Sequence, residues 1–162
     1  MGVELTRVDY RLIHGQVITN WMSFYNINKI VTIDDDLRND SFMQDVFKMA
    51  APKGVKIVIV SANEAVAAQS NGELDSGRVM LLLKNVQALK TAVDAGVQFT
   101  RVQIGGLGGA AGRKAVHGPI TLDQRDLDTL LEIQATGVEI YFQTTTDYPV
   151  ASLEKVAEKF NH

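Results

Sequence analysis

Apolar runs of strand length alternate with segments of helical period along the chain. Residues 3–8 form the first such run, and 16–25 follow with apolar positions three and four apart, the spacing of one helix face. Lys29–Ile33 predicts a second strand, closed by Asp34-Asp35-Asp36. Ser41–Ala50 predicts a helix with Phe42, Val46, Phe47 and Met49 on one side, behind the cap signal Asn39-Asp40-Ser41. Residues 55–60 are rich in β-branched side chains and read as a third strand; 61–69 are alanine-rich and read as a helix capped by Ser61. Arg78–Leu83 is a fourth strand, and Asn85 caps a helix over Val86–Ala95 that Gly96 ends. Residues 99–104 make a fifth strand, followed by a glycine-rich loop over 105–112. Residues 116–122 predict a short extended segment. Asp123 then caps a helix reaching Thr136, 138–143 a further strand, and 149–160 a last helix.

Strands apolar along their whole length and separated by helices predict a three-layer α/β/α open sheet, mostly parallel and covered on both faces. At 162 residues the chain suits one domain, 1–162, with a substantial core. In such sheets ligands sit at the carboxyl ends of the strands. His14, Asp34–36, Lys84-Asn85, the 105–112 loop and 143–147 all fall at such ends, which predicts that they form one site.

Composition narrows the function. The net charge of −3 and a pI near 5.6 argue against a nucleic-acid partner, which would show a basic stripe. The absence of cysteine excludes disulfides, thiolate catalysis and thiolate metal sites. No basic segment followed by a long apolar one opens the chain, and the longest apolar runs fall well short of the roughly 20 residues of a membrane helix. The expectation is a cytoplasmic location.

The richest chemistry lies in Arg7-Val8-Asp9-Tyr10-Arg11-Leu12-Ile13-His14-Gly15-Gln16-Val17. Histidine can act as a nucleophile and hold a covalent intermediate. Gly15 and Gln16 open the helical segment, so first-turn N–H groups can face a phosphate on His14. Arg11 offers a planar fork to phosphoryl oxygens, and Asp9 can accept the proton of the second ring nitrogen. By spacing alone the simpler reading of His14 is a solvated loop histidine, with Arg11 in a surface ion pair. In the glycine-rich loop Gly106, Gly108 and Ala111 imitate a dinucleotide fingerprint, yet no helix opens on its last glycine. It reads better as a mobile wall where backbone can approach a ligand closely. Asp34-Asp35-Asp36 suits helix capping better than magnesium, with Asp34 shaping the pocket. Trp21 reads as core, His117 as a loop side chain and His162 as a terminal one. No metal site is expected.

The stretch from Arg7 to Val17 closely resembles the active-site signature of the enzyme IIB component of the mannose/fructose/sorbose family of the bacterial phosphoenolpyruvate-dependent sugar phosphotransferase system. Further landmarks resemble the family in its order: Met49-Ala50-Ala51-Pro52-Lys53-Gly54-Val55, Leu81-Leu82-Leu83-Lys84-Asn85, Ala95-Gly96-Val97 and Val102-Gln103-Ile104-Gly105-Gly106. The resemblance implies that His14 receives a phosphoryl group from a IIA component and passes it to a sugar held by membrane IIC and IID components. It implies Arg11 and Asp9 as catalytic partners, and phosphate or partner contacts at Gly15, Gln16, Asp34, Lys84, Gly105 and Gly106. No cofactor is implied. The IIA component is expected on another chain, and the protein at the membrane only through its partners. Position 10, often a second aspartate in the family, is Tyr10, which removes a negative charge near an incoming phosphate. The stretch 108–117 departs from the commoner lysine-rich form. Two other readings stand beside this one: a regulatory module whose phosphorylated His14 feeds no transporter, and a flavodoxin-like or dinucleotide-binding protein using the 105–112 loop.

Overall fold

The computed structural model describes residues 2–162, apart from the side chain of Gln16. Its strands are β1 (Gly2–Asp9), β2 (Lys29–Ile33), β3 (Lys56–Val60), β4 (Arg78–Leu83), β5 (Arg101–Gly106), β6 (Lys114–His117), β7 (Ile120–Leu122), β8 (Glu139–Phe142) and β9 (Ala151–Ser152). Its helices are α1 (Gly15–Tyr25), α2 (Asp35–Arg38), α3 (Ser41–Ala50), α4 (Ala62–Ser70), α5 (Val86–Ala95), α6 (Gln124–Ala135) and α7 (Leu153–Phe160). Seven strands form one sheet in the order β3-β2-β4-β1-β5-β8-β9, and β6 and β7 form a separate hairpin. Every pairing in the large sheet is parallel except β8 with the short edge strand β9. The predicted α/β sheet is therefore the observed one.

Two apolar cores lie on its two faces. Leu5, Ile30, Met80 and Leu82 meet Leu12, Ile18, Trp21 and Met22 on the α1 side. Val8, Val31, Leu81 and Ile104 meet Leu89, Leu130 and Val156, from α5, α6 and α7, on the other. Local signals set the helix ends. Ser61 and Glu64 form a capping box on α4, and Asn85 accepts from Ala88 N at 2.8 Å at the start of α5. Gly96 closes α5 at φ +112, where a side chain would be strained.

Several elements differ from the sequence reading. The fifth strand begins later than expected and continues through Gly105 and Gly106, because Asp9 of β1 still pairs with Gly106. Residues 116–122 are part of a hairpin, turned at Gly118 with φ +57. The last helix starts at Leu153 rather than 149. Ala151 and Ser152 first pair with Phe142 and Tyr141, and Ser152 caps the helix by accepting from Lys155 N. The acids after β2 open a short helix, with Asp34 capping Asp36 N.

The largest difference concerns α3. Its expected inward face is mostly outward: Phe42, Val46 and Met49 are exposed, Met49 by 84%. Only Met43 and Phe47 pack against the core, both half-buried. The apolar stripe is wider than the contact available to it.

Candidate active site

β1 presents Leu5, Arg7 and Asp9 to the α1 side, since alternate strand residues share a face. Arg7 and Asp9 are buried, at 1% and 2% exposure, in the middle of the sheet. Their charges meet there: Arg7 Nη2 and Nε donate to Asp9 Oδ2 at 3.2 and 3.3 Å. The remaining nitrogen, Nη1, donates to Gln103 Oε1 at 2.5 Å and to the Gln143 carbonyl at 3.1 Å. Burial lowers the Arg7 pKa from its ordinary value, while the adjacent Asp9 charge opposes that shift. The pair satisfies the rule that a buried charge must be matched and hydrogen-bonded.

After β1 the chain turns sharply. Leu12 N donates to the Asp9 carbonyl at 3.0 Å, and Arg11 N donates to Asp9 Oδ1 at 3.1 Å. Leu12 holds φ +55, unusual for a branched residue, and its side chain is buried with Ile13 in the α1-side core. This anchoring brings His14 back over the strand end, where its Nε2 lies 3.1 Å from Asp9 Oδ2. An ionised carboxylate only accepts, so Nε2 carries the ring proton. Nδ1 has no hydrogen-bond partner among the described residues.

His14 is also the N-cap of α1, but its side chain makes no capping bond. The first-turn amides of α1 are thus uncapped by it. Gly15 sits at φ +38, where a side chain would be strained. The His14 side chain is 13% exposed, less open than a free surface carrier, because the bond to Asp9 draws the ring inward. It borders two hollows. One, of about 300 Å³, is lined by Arg7, Asp9, Tyr10, Arg11 and the backbone of Gly105–Gly109. The other, of about 820 Å³, lies between α1, the turn at Ala50 and Pro52, and Thr145–Asp147. That last wall is tied to α1, with Trp21 Nε1 donating to the Thr144 carbonyl at 2.9 Å and Thr146 N to Asn20 Oδ1 at 3.1 Å. Trp21 is buried, as expected.

The glycines here serve a different neighbour from the one expected. A Cβ on Gly105 would overlap the Arg7 guanidinium, and one on Gly106 would come within 2.9 Å of Asp9 Oδ1. At Gly108 the crowding atom belongs to the Tyr10 ring, at 3.1 Å. Gly105 and Gly106 thus leave room for the protein's own buried ion pair, within a strand rather than a mobile loop. The chain then runs into the β6–β7 hairpin, with no helix to receive a dinucleotide phosphate.

The candidate residues do not form one cluster. Asp9, Arg11, His14, Gly105 and Gly106 come together, with Gly15 bordering the larger hollow. The side chain of Gln16 lies outside the described residues. Asp34 and Lys84 occupy a separate depression lined also by Asp36, Asn85 and Gln87. There Lys84 Nζ lies 3.3 Å from Asp34 and 3.5 Å from Asp36. Burial pulls the Lys84 pKa down, but the two carboxylates outweigh it and the net direction is up. Among the described residues no group of three or more His, Asp or Glu is placed to hold a metal ion. His117 packs edge-on against Tyr148, with Nε2 2.6 Å from the Pro149 carbonyl. The sequence assigned no role to Arg7 or Gln103, and placed Gln143 at the edge of the site without a partner. The available signal was polarity at alternate positions inside otherwise apolar strands.

The glycine requirement can be tested. Gly105→Ala must displace a guanidinium held by four hydrogen bonds. It should lose about 3–5 kcal/mol, the range for breaking a buried ion pair. Gly109→Ala meets nothing within 4 Å and should change stability by under about 0.5 kcal/mol. Urea denaturation of the two variants measures the difference, and equal midpoints would remove the steric account.

A family model described as "PTS system sorbose subfamily IIB component" matches residues 3–161. The sorbose-specific EIIB component of Klebsiella pneumoniae is 34% identical over 159 residues, covering 98% of this chain and 97% of that protein. The mannose-specific EIIAB component of Escherichia coli K12 is 28% identical over 161 residues, and the chain spans half of its length. Among solved structures, manxB from Thermoanaerobacter tengcongensis superposes with a TM-score of 0.89 at 36% identity, covering 98% of this chain and 96% of that one. On sequence and fold together, the chain belongs to the sorbose subfamily of IIB components of the sugar phosphotransferase system.

Proposed function

We propose that His14 is the phosphoryl carrier of this IIB component, loaded by a IIA component and unloaded onto a sugar held by membrane IIC and IID components. The observation that carries the reading is His14 Nε2 set against Asp9 at 3.1 Å. That contact keeps the proton on Nε2 and leaves the Nδ1 lone pair for attack. In the first transfer Nδ1 bonds to the phosphorus of a donor phosphohistidine as the donor's P–N bond breaks, and the donor nitrogen keeps that electron pair. In the second, a sugar hydroxyl oxygen bonds to phosphorus and the P–N bond to His14 breaks. The hydroxyl proton leaves to solvent or to the freed ring nitrogen.

Such transfers depend on position and on charge stabilisation. Asp9 fixes the ring and balances the charge that develops on it. Arg11 is exposed beside His14, and its guanidinium makes no hydrogen bond to a described residue, which suits a phosphate ligand. The first-turn amides at Gly15 and Gln16 add donors and the positive end of the helix dipole. Gly105 and Gly106 border the same cleft with backbone alone, which suits a bulky phosphoryl group. No cysteine is present to carry the group as an S-phosphate.

The name of the EIIAB relative supports a IIA partner. So does the apolar surface beside His14: Ala50 and Pro52 line the larger hollow, and Met49 next to them is exposed. Among the described residues no helix is long and apolar enough to cross a membrane, so a membrane contact in this reading runs through partner proteins.

Incubation with phosphoenolpyruvate, the general phosphotransferase proteins and a cognate IIA should add one acid-labile phosphate by intact mass. His14→Ala should add none, and failure of the wild type to load from a competent donor would sink the reading. Sugar phosphorylation by membranes carrying IIC and IID then separates a transporter subunit from a regulator.

Two finer outcomes follow from the geometry. The phosphate should reside on Nδ1, read from the ring 15N shifts of the phosphorylated protein; an Nε2 adduct would contradict the role given to Asp9. Arg11→Lys keeps charge but loses the fork, and should slow loading about a hundredfold. Its stability should stay within about 0.5 kcal/mol of wild type. Wild-type loading rates in that variant would make Arg11 a bystander.

A further inference from the structure

Three buried side chains form a row across the α1 face of the sheet. The strand register sets Arg7 opposite Gln103 and Gln103 opposite Tyr141. Gln103 is 0% exposed and Tyr141 is buried as well. Arg7 has only donors, so the Gln103 amide must turn Oε1 toward it. Gln103 Nε2 then points the other way, to the Tyr141 hydroxyl at 3.3 Å and to Gln143 Oε1 at 3.5 Å. Gln143 is fixed in the same sense, since its own Nε2 donates to the Tyr148 carbonyl at 2.9 Å. Each amide in the row therefore has one orientation that satisfies its neighbours.

This row ends at the reacting side chain. Gln103 holds Arg7, Arg7 holds Asp9, and Asp9 holds His14. We propose that Gln103 is a positioning residue for His14, setting the ring tautomer and orientation through Arg7 and Asp9. Without its Oε1, Arg7 Nη1 keeps only the Gln143 carbonyl. The guanidinium can then turn on its stem, and its two-point hold on Asp9 Oδ2 loosens. The carboxylate in turn no longer presents one fixed acceptor to Nε2. Hydrogen bonds behind a histidine commonly decide which ring nitrogen bears the proton. The inference rests on the reading of His14 as the carrier for its functional meaning, but the tautomer itself is a property of the unphosphorylated protein.

Gln103→Met keeps length and approximate volume and removes the acceptor. Long-range 1H–15N spectra of histidine-labelled protein, recorded without any donor, report the His14 tautomer. The wild type should be mainly Nε2–H, and the variant should gain a measurable Nδ1–H fraction. Loading from IIA should fall between about ten- and a hundredfold in kcat, as for a displaced reacting group, with KM for IIA unchanged. A residue that only fills the sheet would alter stability and leave the tautomer alone. A wild-type tautomer ratio in folded Gln103→Met overturns the proposal, whatever its rate. If that variant does not fold, Tyr141→Phe decides, because it deletes a single oxygen behind Gln103. A shift toward Nδ1–H there supports the proposal, and an unchanged ratio overturns it. If wild-type protein takes no phosphate from IIA, the carrier reading fails while the tautomer comparison still decides the role of Gln103.

Discussion

The buried ion pair between Arg7 and Asp9 is the constraint around which the site is arranged. Two opposite charges lie inside a parallel sheet, where water cannot compensate them. Each must therefore find its full set of partners within the protein. Arg7 reaches Gln103 and the Gln143 carbonyl; Asp9 takes Arg11 N and His14 Nε2. The glycines at 105 and 106 are the steric counterpart, since a side chain at either place would enter the pair. Side chains from β1, β5 and the α1 N-cap, with a carbonyl just beyond β8, are thus joined by the needs of two charged groups.

Under the proposed carrier role, that arrangement reconciles two demands on His14. The ring must be held well enough to keep one tautomer, and open enough to meet another protein. The contact with Asp9 supplies the hold and accounts for the modest exposure of the ring. The position of His14 at the rim of two hollows supplies the access. Arg7 also keeps Asp9 from being an isolated buried carboxylate. The exposed Arg11 remains available, because Arg7 has already neutralised the acid nearest to it.

The carboxyl edge of the sheet carries a second polar cluster, at Asp34, Asp36 and Lys84, distinct in its surroundings from the first. Its charges satisfy one another, and Asp34 also caps α2. Occurrence at strand ends is thus a weak criterion for membership in one site, since even the neighbours β4 and β1 lead into helices on opposite faces of the sheet. The exposed stripe on α3 carries the opposite lesson. A strong apolar period shows that a helix has a greasy face, but how much of it is covered depends on how near the neighbouring elements come.

Much of the architecture was legible along the chain. The alternation of apolar runs and helical periods determined the parallel α/β sheet, because β-branched runs and capping residues such as Ser61, Asn85 and Asp123 act locally. The motif from Arg7 to Val17 likewise pointed to His14, Asp9 and Arg11 through resemblance. Tertiary structure decided what those residues touch. Arg7 and Gln103 are 96 positions apart, and only the β1–β5 register makes them partners. The same pairing extended β5 through Gly105 and Gly106 and turned an apparent ligand loop into the housing of an ion pair. The physical reason is that helix periods and caps are set by neighbours in sequence, whereas the partners of a buried charge are chosen by strand order and register.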